Sequence, residues 1–241
     1  MKRRLSSGLL VGLVSLTGII AADSSPRAVR AASRSIRLDD ATMIVEVNAT
    51  DRDAGLQLFL DGEAWSSMTV SAPGGQSIVA INTKGDLKGH GLTELFSESS
   101  EPSFKEFPLG KFKKLFPEGR YTFKGTTIEG RSLVGSARLS HDFPDGPQIT
   151  SPAEGSTVGP GNLVASWNPV PEPAGISVVG YRAIVEREGP LRVFSVDLPA
   201  SVTSVTVPKE FMEPGTKYKL EVQAIEAGGN QTITEIEFST S

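Results

Sequence analysis

Asp51-Arg-Asp53-Ala-Gly55 and Asp61-Gly-Glu63 are the densest groups of oxygen ligands in the chain, and clustered carboxylates suit a hard cation. Calcium takes about six to eight oxygens, and the twelve-residue loop with its closing glutamate is absent. Between the two groups, Leu56, Leu58 and Leu60 fall on one side of a strand. Such a strand holds the groups roughly 17 Å apart at about 3.3 Å per residue. Asp51 and Asp53 therefore stand as calcium candidates, while acidic residues that shape turns are the favoured reading.

Catalysis needs convergent acids, bases or nucleophiles. The chain has 2 histidines, His90 in Lys88-Gly-His-Gly91 and His141 beside Asp142. Adjacent residues on a strand point to opposite faces, so Asp142 does not orient His141, and both histidines read as structural or surface groups. The nucleophile elbow Gly-x-Ser-x-Gly, the zinc helix His-Glu-x-x-His and the phosphate-cradling glycine loop are missing. A glycosidase needs two acids across one cleft, and the sequence singles out no pair among its 28 acidic residues. Trp65 is the candidate platform for sugar stacking, whereas Trp167 reads as core. Lys111, Lys113 and Lys114 alternate with Phe112, Leu115 and Phe116, the pattern of an amphipathic turn with a solvated cationic face.

Bulk properties narrow the classes further. A length of 241 residues suggests one or two domains, and a composition of 38% hydrophobic and 22% charged residues is globular. Lys2, Arg3 and Arg4 precede an apolar run over residues 9–20 and the small residues Ala21 and Ala22, which reads as an export signal over residues 1–22. A second cleavage site follows Ala31, and residues 23–35 read as a loose tail. The apolar run is too short to span a bilayer comfortably, so no membrane span is expected after cleavage. Loss of the signal removes three cations and moves the formal charge from −4 to −7. An acidic mature chain repels phosphate backbones, which argues against nucleic acid as a partner. Cysteine is absent, so packed cores alone must hold an exported fold, and thiol chemistry and Cys-based metal sites are excluded. No cofactor is expected.

Phe143-Pro-Asp-Gly-Pro147 breaks the pattern of alternation and sets a domain boundary at 145/146. After it come seven short strand-type segments, near residues 148–150, 163–167, 178–186, 192–197, 202–207, 217–224 and 231–240. Tyr218, Leu220, Val222 and Ala224 alternate with Lys217, Lys219, Glu221 and Gln223, as in an antiparallel sheet with one wet side. Seven strands in about 95 residues predict a Greek-key β-sandwich. Before the break, residues 42–49, 56–60, 68–71, 77–82, 121–127 and 133–139 read as strands, with turns at Asp61-Gly62 and Gly74-Gly75. Residues 92–96 and 108–116 have apolar residues at helical separations, with Pro108 in the first helical turn. The expected fold class is all-β: two sandwich-like domains, residues 36–145 with a short helical insertion and residues 146–241.

Trp167, the segment Gly180-Tyr181-Arg182 and the run Met212-Glu-Pro214-Gly215-Thr-Lys-Tyr218 together resemble the fibronectin type III family over residues 147–241. The resemblance implies a disulfide-free sandwich in which the Tyr218 hydroxyl reaches back to backbone near Met212. The N-terminal half resembles only loosely the first part of small exported bacterial proteins that end in a type III domain. Lys84-Gly85-Asp86 is too short a match for an integrin-type tripeptide, and the type III segment has no Arg-Gly-Asp in its last turn. The expected function is that of a non-enzymatic exported protein, at the cell surface, outside the cell or in the periplasm, with an N-terminal recognition domain and a type III spacer or interaction module. The partner is a protein or a polysaccharide; a polysaccharide or cell-wall binding module is the alternative, and a carboxylate-dependent hydrolase the third reading.

Overall fold

The computed structural model describes residues 35–159, 161, 163–171, 175–190 and 192–241. The export signal and nearly all of the tail expected before residue 36 lie outside them.

The N-terminal half is built on one long strand. β1 (Ile36–Arg37), β2 (Asp40–Asn48), β3 (Asp53–Ser71), β4 (Ser77–Asn82), helix α1 (Leu87–His90), β5 (Leu92–Glu98), helix α2 (Leu109–Leu115), β6 (Gly119–Thr127) and β7 (Ser132–Leu139) occur in that order. The first part of β3 lies between β2 and β5, and its last part between β4 and β6. Buried Ala54, Leu56, Leu58 and Leu60 alternate, then the inward set becomes Trp65, Met68 and Val70. Register shifts between Asp61 and Trp65 and between Trp65 and Ser67 account for the change of parity, because each bulge bends the strand and re-aims the side chains beyond it. Asp61-Gly62 is thus not a turn, contrary to expectation. Gly62 is there for packing: a Cβ at that position would sit 2.9 Å from the Leu38 side chain.

Residues 92–96 are strand, not helix. Leu92 and Leu95 are three apart yet both pack on the core, since their partners Trp65 and Leu60 straddle the bulge in β3. The helical expectation holds for α2, with Pro108 at the N-cap position one residue before the first turn. Phe112 is its buried residue, and Phe104, Phe107, Leu109 and Phe116 pack against the same core. The Pro117–Gly119 corner ends in a hydrogen bond from the Tyr121 hydroxyl to the Pro117 carbonyl, 3.0 Å.

The C-terminal half contains β8 (Gln148–Ser151), β9 (Thr157–Val158), β10 (Leu163–Asn168), β11 (Val178–Arg187), β12 (Val193–Pro199), β13 (Ser204–Val207), β14 (Lys217–Glu226) and β15 (Gln231–Thr240). One layer has the order β13-β10-β8 and the facing layer β12-β11-β14-β15. Trp167, Tyr181, Val185, Leu220, Val222 and Phe238 fill the space between them.

Each half has its own hydrophobic cluster, and a shared sheet joins the two. β15 runs parallel to β2, with Gln231 opposite Glu46, Thr232 opposite Val47 and Ile233 opposite Asn48. Hydrogen bonding therefore continues from β14 through β15 into β2 and β3. The connection between halves is packed too, with Pro144 and Pro147 buried. A Cβ on Gly146 would come within 2.7 Å of Thr234 Oγ1 and 2.8 Å of Ala49 Cβ, so only glycine fits that crossing.

Candidate functional site

Two strand ends and one turn meet where the halves join. The turn between β14 and β15 is locked by Glu226, whose carboxylate accepts the backbone N–H of Gly228 at 2.6 Å and of Asn230 at 3.0 Å. Gly229 supplies the positive φ of 98° that the reversal requires. This holds Asn230, 2% exposed, against the N-terminal half. Its Oδ1 accepts the Val45 N–H at 2.8 Å, and its Nδ2 donates to Ser140 Oγ at 2.9 Å and to the carbonyls of Ser140 and Asp142, each at 3.2 Å. Thr232 Oγ1 adds a buried bond to the Pro144 carbonyl at 2.7 Å, and the Ala49 N–H donates to the Ile233 carbonyl. Beside the joint lies a cavity of about 610 Å³, with Thr42, Arg138, Ser140, Asp142, Ser177 and Glu226 in its lining.

The far end of the C-terminal sandwich settles its type. Pro214 and Gly215, the latter at φ 62°, turn the chain so that the Tyr218 hydroxyl accepts the Glu213 N–H at 2.7 Å and donates to the Phe211 carbonyl at 3.3 Å. Met212, between them, is buried. Trp167 meets the edge of Tyr181 at 5.5 Å, and the Tyr181 hydroxyl accepts the Val170 N–H at 2.9 Å. With strands split three against four, this is the tyrosine-corner sandwich.

The strand layout and the tyrosine corner give residues 147–241 a sandwich of the fibronectin type III kind. Among solved structures, the chain is similar to the fn3 domain of human collagen alpha-1(XX) chain, at 28% identity over 41% of this chain and 87% of that one, TM-score 0.31. It also matches a two fibronectin type-III domain segment from chicken tenascin, at 13% identity over 84% of this chain and 98% of that one, TM-score 0.30. The FN1–FN3 domains of chicken CNTN1 match at 12% identity over 85% of this chain and 65% of theirs, TM-score 0.31. No protein-family model and no curated protein matches. Removing the corner bond of the type III module, Tyr218→Phe, is expected to keep the fold and cost about 1 kcal/mol. Chemical denaturation checks it, and an unshifted midpoint would count against the assignment.

A second cluster lies on the outer face of the joined sheet. Glu46 of β2, Glu98 at the end of β5 and Glu101 beyond it bring carboxylate oxygens within 4.8 Å of one another. Glu46 Oε2 accepts from Gln57 Nε2 at 3.0 Å and from Gln231 Nε2 of the type III module, while Gln57 Nε2 also reaches Glu98 at 2.8 Å. Glu101 folds over Gly55, where a Cβ would collide with its carboxylate. Burial, then the charges of Glu98, Glu46, Asp53 and Asp51, pushes the Glu101 carboxyl up to about 7. Burial also raises Glu46, against the opposing hydrogen bond from Gln231, and raises Asp53, to which Asp51 adds.

Such a group can hold a proton, or offer three oxygens to a cation, about half of what calcium takes. Of the expected calcium candidates, Asp51 and Asp53 stand beside this trio and act on Glu101 by charge, without belonging to it. Asp61 lies at the other end of the pairing with β2, opposite Asp40, and Glu63 pairs with Arg131. The trio was invisible in the sequence because Glu46 and Glu98 meet only through the pairing of β2, β3 and β5. Alternation alone does place Glu46 and Gln57 on outer faces.

Because the folded Glu101 carboxyl titrates above its ordinary value of 4.5, its contribution to stability is complete below that pH and is lost as pH rises through about 7. Glu101→Gln, which mimics the protonated form, is therefore expected to match the parent Tm near the lower pH and exceed it above the upper one. Melting curves across that range check this; a Tm difference independent of pH would remove the charge repulsion as its cause.

The remaining expected residues fall outside any site. Trp65 offers no platform: it is fully buried, because β3 continues through its bulge and turns the indole into the core beside Leu60 and Met68. His90 is exposed on α1. His141 donates from Nε2 to the Phe116 carbonyl at 2.8 Å, and its backbone N–H bonds Glu118, a structural role. Lys113 sits 4.8 Å over the Phe143 ring, while Lys111 and Lys114 are exposed. Among the described residues, no helix is long and apolar enough to cross a membrane.

Proposed function

We propose that the chain is an exported, non-enzymatic interaction protein of two domains, residues 36–145 and 146–241, in which the type III module is a rigid spacer and the N-terminal half carries recognition. The joint at Asn230 carries this reading. It takes the turn between β14 and β15 into hydrogen bonds with Val45, Ser140 and Asp142, so Asn230 at this end of the module is engaged by its own chain. The parallel pairing of β15 with β2 adds a second connection, and two connections resist hinge motion better than a linker alone. Loops and faces of the N-terminal half are left as the surface for a partner.

Amide ¹⁵N relaxation of the full chain tests the spacer. Both halves should report one rotational correlation time; two separate times would defeat the reading. Export is tested by the mass of the secreted product, which should lack 22 or 31 residues, as the two sequence cleavage sites require. A product retaining Met1 would refute it.

A further inference from the structure

The outer face of β1, β7 and β6 is basic. Arg120 stands directly opposite Arg138, Thr122 opposite Ser136, and Lys124 opposite Val134, which on its other side pairs with Arg37. Arg37, Arg120, Lys124 and Arg138 are all exposed, and among the described residues none of the four is in an ion pair. Like charges directly opposite on a sheet disfavour the pairing, so the Arg120–Arg138 row has a cost that an anion would relieve.

Arg37, Arg120 and Arg138 border a trough. Arg37 and Arg120 line a cavity of about 320 Å³, Arg138 lines the 610 Å³ cavity at the joint, and the two share Ala41 and Ser136. Hydroxyls of Thr42, Ser136, Ser140 and Ser177 lie along it. Four carboxylates share this lining with the three guanidinium groups: Asp40 accepts from Thr42 Oγ1, Glu226 accepts from the amides of Gly228 and Asn230, and Asp39 and Asp142 lie on the rim, so the cationic character belongs to the exposed rows of β1, β7 and β6 beside the trough. The two cationic rows are four residues apart on β7, roughly 13 Å at about 3.3 Å per residue. One small anion cannot reach both; an extended chain with repeated acid groups can.

We propose that this trough binds an acidic polysaccharide. Guanidinium groups match carboxylate and sulfate oxygens in bidentate fashion, and the intervening hydroxyls match sugar hydroxyls. With Trp65 buried, recognition is led by charge rather than by stacking, and binding weakens as salt screens it. The proposal rests on the N-terminal half being the recognition domain, and names its ligand class and surface.

Affinity electrophoresis of the full chain at low salt provides the test, with polygalacturonate as carboxylate probe, heparin as sulfate probe, dextran as neutral control and oligothymidylate as a non-sugar polyanion. Retardation by at least one acidic glycan and none by dextran is expected. Arg120→Gln/Arg138→Gln should weaken it about tenfold through loss of charge-assisted contacts, and Arg37→Gln alone, which leaves the paired row intact, should weaken it less. Lys111→Gln/Lys114→Gln on α2 should change little, and far-ultraviolet circular dichroism should show every variant folded. No retardation by either glycan, equal loss in the lysine variant, or equally strong binding of oligothymidylate would overturn the proposal. If the glycans fail while both halves still tumble together, the acidic-glycan assignment falls and the spacer reading stands.

Discussion

Asn230→Leu is expected to destabilise the folded chain by about 3 kcal/mol and to uncouple its halves. Leucine keeps the volume but leaves the buried Val45 N–H without an acceptor and the Ser140 and Asp142 carbonyls without their donor. A buried polar group stripped of its partner costs about 1–3 kcal/mol, and Val45 is fully buried. The chain supplies its own reporters, since Trp65 lies in one core and Trp167 in the other. Fluorescence of single-tryptophan versions should give coincident unfolding for the parent and separated transitions for Asn230→Leu. Coincident curves with an unchanged midpoint would mean that Asn230 is not the lock between the halves.

Trp65→Ala should cost about 4 kcal/mol, within the range for emptying a large buried aromatic site. Trp65 is 0% exposed, and Leu60, Met68 and Phe123 of the same core belong to strands pinned by pairing on both sides, so the cavity cannot collapse easily. An exposed sugar platform would instead lose well under 1 kcal/mol on the same change, as surface substitutions do. Urea denaturation separates the two outcomes, and a small shift would restore Trp65 to the surface.

The strands that alternate were readable, and they include every strand of the type III module except the two-residue β9. Val45 and Val47, or Leu220 and Val222, declare a buried face without reference to anything distant. Reading failed where a strand bends. The bulge of β3 at Gly62 looked like a turn because Asp-Gly has turn chemistry in isolation, and the leucines of β5 looked helical because bulging changes the period that alternation assumes. Tyr218, after a turn with glycine, was legible as a corner because corner geometry is local.

Sites were harder to read than strands. Glu46, Glu98 and Glu101 come together through strand register, and Arg37, Arg120 and Arg138 through the pairing of β1, β7 and β6. Register is fixed by contacts between segments far apart in the chain, so no window of sequence contains it.

Alternation and turn residues were enough to determine an all-β chain with a Greek-key sandwich over residues 146–241, because each acts over a few neighbouring residues, and the resemblance of Trp167, Tyr181 and the Met212–Tyr218 run added its type III kind. What the tertiary structure decided is how the halves face each other. The bond between Asn230 and Val45 spans 185 residues, and the parallel pairing of β15 with β2 spans as many. Such contacts join segments far apart in the chain, and through them the buried turn between β14 and β15 satisfies its polar groups on the edge of β2.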